Sequence, residues 1–134
     1  MSGQDARRRA VLSRREGRLA TIAAGAVIIV IASIPGPSGA PSVFGWDKLD
    51  HLSAFAALAL LARAGWPSAP RWMTAGALFA YGIGIELLQG SPLVNRTASA
   101  SDLAANAVGI VIGLALALWL GRVARTIRWL PPRR

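Results

Sequence analysis

Cysteine is absent from the 134 residues, which excludes disulfides, iron–sulfur ligation and thiolate catalysis. Histidine occurs once, at His51, so an all-histidine metal site cannot be assembled within one chain. Acidic side chains are scarce, six against fifteen basic ones, leaving a net charge of +9. In a soluble protein that excess would point to nucleic acid. Here it is divided between two tails that flank apolar segments, so a membrane surface explains it better and no nucleic-acid partner is expected. No solenoid-like repeat is evident.

The chain is instead 54% hydrophobic, with a mean hydropathy of +0.46, concentrated in four long stretches separated by short polar breaks. That pattern predicts four membrane helices, over about 19–34, 47–64, 72–89 and 102–120. Helix is the state that satisfies a backbone in lipid, because open sheet edges cannot face it. The first stretch covers about 24 Å at 1.5 Å per residue, and Arg18 can snorkel to lengthen it. The expected architecture is therefore all-α: a basic segment 1–18, a four-helix transmembrane bundle over 19–121, and a basic tail 122–134.

Orientation follows from the basic residues. Arg7, Arg8, Arg9, Arg14, Arg15 and Arg18 precede the first stretch, Arg63 and Arg71 lie between the second and third, and Arg122, Arg125, Arg128, Arg133 and Arg134 follow the fourth. Only Lys48 and Arg96 occupy the other two connections, which puts both termini in the cytoplasm. Trp46 then marks the outer interface, and Trp66, Trp72 and Trp119 the inner one. A signal peptide cut after Ser38-Gly39-Ala40 is the competing reading; Pro41 after the cut and the length of the apolar run favour a retained helix.

This threading gathers three polar clusters at the outer face, where ionisable groups are by default a functional-site hypothesis. Asp47, Asp50 and His51 share one helical face at i, i+3 and i+4, with Lys48 beside them. Asp47 also suits an N-cap, and Asp50 the helix dipole; His51 lies a turn deeper and is explained by neither. Glu86 and Gln89 form E-x-x-Q at the end of the third helix, where a carboxylate opposes the dipole and needs a partner. Arg96 stands on the disfavoured side and suits carboxylate or phosphate recognition, with Glu86 as an alternative partner. Asp102 completes a capping-box-like pattern with Ser99, and Asn106 suits an interhelical hydrogen bond. Ala105, Gly109 and Gly113 make a small-residue stripe expected to meet Gly82 or Gly84.

Together D-K-x-x-H (Asp47, Lys48, His51), E-x-x-Q (Glu86, Gln89) and R-x5-D-x3-N-x2-G-x3-G (Arg96, Asp102, Asn106, Gly109, Gly113) resemble the VanZ-like family over about residues 20–121. The resemblance implies a small multi-pass protein of the bacterial inner membrane, acting in the cell envelope. The family's founding member was identified through low-level resistance to teicoplanin, so glycopeptide resistance is part of that implication.

Three functions compete. As a binding protein, the outer pocket would hold the headgroup of a lipid or lipid-linked envelope precursor, with Asp47, Lys48, Asp50, Gln89, Arg96 and Asn106 as ligand-binding residues. As a hydrolase or transferase on an amphiphilic substrate, His51, Glu86 and Asp102 would be catalytic, with His51 as base and Glu86 as acid. A metal-dependent variant would use His51, Asp50, Glu86 and Asp102; the main expectation is no metal and no cofactor. Proton-coupled transport is disfavoured because the inner half lacks a matching polar cluster. A homodimer stays open. Glu86 is the expected centre of the site, and Glu86→Gln is expected to insert normally and lose function.

Overall fold

The computed structural model describes residues 12–35, 44 and 46–128. Residues 1–11, the Ser38-Gly39-Ala40 cleavage candidate, and Arg133 and Arg134 lie outside the described residues. The described residues form an all-α four-helix bundle: α1 (Arg14–Ala32), α2 (Asp47–Gly65), α3 (Arg71–Gln89) and α4 (Ala100–Arg128). The helices start and stop close to the expected bounds, except that α1 begins five residues earlier and α4 runs eight residues further.

Those extensions have local causes. Ser13 is the N-cap of α1, its hydroxyl accepting from Glu16 N–H while Glu16 accepts from Ser13 N–H, a complete capping box. These two hydrogen bonds, backbone first, hold the exposed Glu16 carboxyl below the usual carboxylate range. At the other end of the chain, Gly121 and the basic residues after it are compatible with helix, and no proline interrupts α4.

Of the four helices, α4 alone is long and apolar enough to cross a membrane by length and composition, with a mean hydropathy of 2.2. The difference from the expected four spans lies in the ends of the other three. Each is 19 residues long. Arg14, Arg15, Glu16 and Arg18 occupy the start of α1, Asp47, Lys48 and Asp50 the start of α2, and Arg71 and Glu86 the two ends of α3.

Helix α2 is the centre of the bundle and packs against all three others; α1 contacts α2 and α3, and α4 contacts α2 and α3. The tightest pair is α2 with α4. A Cβ at Gly109 would collide with the Leu52 carbonyl, and one at Gly113 with the Ala56 carbonyl and Ala59. The contact advances four residues on both helices together, so the two run parallel. The glycine stripe therefore seats on α2, not on Gly82 or Gly84 of α3 as the sequence suggested. Gly84 faces open space, and Gly82 faces Asn106 and Phe55. Small residues on a helix face let two backbones approach this closely.

The core comprises Ala32, Phe55, Leu58, Ala59, Leu78, Ile85 and Ile110, with Ile28, Tyr81 and Leu114 packed around it. Tyr81, in mid-helix, donates its hydroxyl to the Gly25 carbonyl and so ties α3 to α1. The opposite end is pinned by arginines. Arg18 donates to the Gly65 carbonyl at 3.1 Å and stacks on Trp66, which binds α1 to the end of α2. Arg63 donates to the carbonyls of Trp66, Pro67 and Ala69, closing the turn into α3.

Candidate functional site

Around the N-termini of α2 and α4 the chain places Asp47, Asp50 and Asp102, each in the first turn of its helix. Acidic groups there are favoured by the helix macrodipole. Asp47 is not the N-cap: Trp46 holds that position and gives no side-chain cap bond. The Asp47 carboxylate instead spreads between Arg96 Nη2 at 3.8 Å on one oxygen and His51 Nε2 at 3.9 Å on the other. Asp50 accepts from Phe44 N–H at 3.1 Å, ahead of the helix, and so ties residue 44 to the helix that follows without capping it.

His51 lies one turn deeper and is half-buried. Its Nδ1 meets Asn106 Oδ1 at 3.0 Å. An amide oxygen only accepts, so Nδ1 carries the proton in this contact and the ring turns Nε2 toward Asp47. Asn106 is wholly enclosed, at 0% exposure, between His51 and Gly82 of α3. Its side chain bonds α4 to α2, while its Nδ2 lies against Gly82 with no hydrogen-bond partner among the described residues. Lys48 faces Asp102 Oδ1 at 3.6 Å, an ion pair longer than a hydrogen bond.

Arg96 reaches this cluster from the loop after α3. Asn95 adopts the left-handed conformation, φ 56°, which asparagine tolerates, and the reversal lets Arg96 N–H donate to the Gln89 carbonyl. Its guanidinium therefore pairs with Asp47, and Glu86 takes a different partner.

Glu86 is buried, and its Oε2 accepts from Ser99 N–H at 2.8 Å. Ser99 Oγ in turn accepts from Asp102 N–H at 3.3 Å. In a capping box the third helical residue would return its carboxylate to the cap's N–H. Asp102 occupies that position, but Glu86 supplies the carboxylate from another helix. Asp102 is thereby left to face Lys48 and His51. Glu86 Oε1 has no hydrogen-bond partner among the described residues.

A cavity of about 320 Å³ opens against this cluster. Its lining combines apolar side chains, from Ile28, Ile31 and Ala32 of α1, Phe44, Ala54, Phe55 and Ile85, with polar ones, from Asp47, Asp50, His51, Ser53, Gln89 and Arg96. Glu86 is not part of the lining, so the residue expected to be central is turned toward the α4 cap instead. Arg96, Asp47, His51 and Asn106 form one chain of contacts, the Lys48–Asp102 pair lies beside it, and Gln89 and Asp50 line the same cavity as Asp47, His51 and Arg96. The contribution of α1 and Phe44 was not visible in sequence, since the end of α1 is apolar on every side and no periodicity marks a pocket face.

The metal-capable subset also differs from the expected one. Asp47, His51 and Asp102 each offer a donor atom, all within 4.8 Å of one another. Asp50 and Glu86 are turned to backbone N–H groups instead. Compared with models of protein families, with curated proteins and with solved structures, the chain gives no match.

Proposed function

We propose that this chain is a multi-pass membrane protein whose pocket holds the headgroup region of a lipid or lipid-linked envelope precursor. The observation that carries the reading is the mixed lining of the cavity, apolar side chains of α1, Phe44, Phe55 and Ile85 together with the charged Asp47, Asp50 and Arg96, which suits an amphiphile with a polar headgroup and an acyl chain. Arg96 supplies the planar donor for an anionic group.

The bilayer setting is supported by an inverted distribution of polarity. Thr74, Glu86, Gln89, Asp102 and Asn106 are buried, while Ile22, Val30, Trp72, Leu87, Val111 and Trp119 are exposed. A surface so apolar around a polar interior suits lipid as solvent. On this reading the three shorter helices span with α4, their charged ends at the headgroups, both termini cytoplasmic and the pocket outside. Resemblance to the VanZ-like family supports placement in the bacterial inner membrane; a link to teicoplanin-type resistance rests on that resemblance alone.

The runner-up is a hydrolase or transferase on an amphiphile, favoured by one feature: Asn106 presents His51 Nε2 beside the cavity as a base requires. Glu86, the proposed acid, is engaged with Ser99. Binding is therefore preferred to chemistry. The test is mass spectrometry of lipid retained through purification in mild detergent. Wild type is expected to retain an anionic amphiphile that Arg96→Ala loses; identical lipid content in both would overturn the reading.

A further inference from the structure

We infer that Asp47, His51 and Asp102 form a binding site for a divalent transition-metal ion of the zinc type. Two of the donors are an i, i+4 pair on α2, and the third comes from the first turn of α4, so the tight α2–α4 packing sets the site. His51 Nε2 and Asp47 Oδ2 stand 3.9 Å apart. That is too far for a hydrogen bond and close to the separation of two donors on one ion with bonds of about 2.0–2.2 Å. The remaining gap closes by rotation of Asp47, whose side chain is 52% exposed.

Two independent features point inward. Asp102 is 8% exposed, and its Oδ1 is enclosed without a hydrogen bond, the nearest cation standing off at 3.6 Å. A carboxylate so placed lacks the hydrogen bond its burial demands, the Lys48 ion pair being too long to supply one. His51 already has the support a metal ligand needs: in the tautomer with the proton on Nδ1, that proton is held by the Asn106 oxygen, and Nε2, 3.9 Å from Asp47 Oδ2, keeps its lone pair for an ion. Arg96 occupies Asp47 Oδ1, the oxygen on the side away from His51 Nε2, and so orients rather than displaces the ligand.

One imidazole and two carboxylates suit zinc and its neighbours; magnesium and calcium favour all-oxygen sets, and copper(I) favours sulfur. Three protein donors leave a coordination position for water or ligand, facing the cavity that Asp47 and His51 line. The bound ion would also offset the two carboxylates. The inference does not depend on a lipid ligand, since the three donors are preassembled by the helices.

The test is calorimetric titration of Zn²⁺ into the full chain in detergent after chelation, with Co²⁺ absorption as a second readout. Wild type is expected to bind one ion per chain, with Co²⁺ giving a visible band. His51→Ala and Asp47→Asn should each weaken binding at least about 100-fold, and Asn106→Leu about 10–100-fold, as loss of an outer-shell partner does. Glu16→Gln, at the opposite end of the bundle, should bind as wild type. Asp47 is exposed enough that its variant keeps the fold, verified by circular dichroism. Absence of wild-type binding, or equal binding by wild type and Asp47→Asn, would overturn the inference and leave His51 held by a proton between its neighbours.

Discussion

Glu86 illustrates how one residue's meaning is set by its contacts. A carboxylate in the last turn of a helix opposes the dipole, and the structure supplies compensation through Ser99 N–H. This makes a prediction that separates shape from charge. Glu86→Gln keeps an acceptor oxygen for Ser99 and should change unfolding stability by less than about 1 kcal/mol. Glu86→Ala strands the amide and should cost about 1–3 kcal/mol. Thermal unfolding in detergent, followed by circular dichroism, distinguishes them. Equal stability for both variants would remove the capping role. A Gln variant that is stable yet loses retained lipid would restore Glu86 to the site as a charge.

At the scale of elements, α2 and α4 govern the geometry. The glycines that let them approach are not equivalent to the other glycines. A Cβ at Gly109 meets the backbone carbonyl of Leu52, which cannot rotate away, whereas Gly76 and Gly84 have nothing within 4 Å. Gly109→Val is therefore expected to destabilise by about 1–3 kcal/mol, as overpacking does. Because Asp102 and Asn106 ride on the same helix, it should also disturb His51. Gly76→Ala and Gly84→Ala should be neutral or stabilising by up to about 1 kcal/mol through helix propensity. Chemical-shift changes of the His51 ring, read by NMR, should appear in the first variant and be absent from the other two. A Gly109→Val protein with wild-type stability would mean that α2 and α4 are not in this contact.

For the molecule as a whole, the polar groups collect at one end of the bundle and the arginine pins at the other. The absence of cysteine makes topology directly testable with single introduced thiols. Thr97→Cys should react with an impermeant reagent applied from outside the cell, and Ala69→Cys only after permeabilisation. The reverse pattern would place the pocket on the cytoplasmic side, and labelling of both from outside would break the four-span arrangement.

Helix positions were legible in the amino-acid order because apolar length, glycine and proline breaks, and capping residues are local properties. The end of α3 at Gln89 and the start of α2 at Asp47 fall where the pattern put them. The gathering of the three polar clusters at one end of the bundle was also readable, since short connections alternate helix direction and bring those ends together, although Glu86, expected to meet His51, Arg96 and Asp102, turns to Ser99. Which atoms meet was not. Spacing shows that Asp47, Asp50 and His51 share a face, but only the packing of α4 on α2 decides that Asp102 and Asn106 meet His51 while Asp50 turns to Phe44. Likewise the sequence made Glu86 the expected centre of the site and Asp102 the capping-box partner of Ser99. The tertiary structure separates them, because one backbone N–H, that of Ser99, takes a single carboxylate and Glu86 is the one within reach.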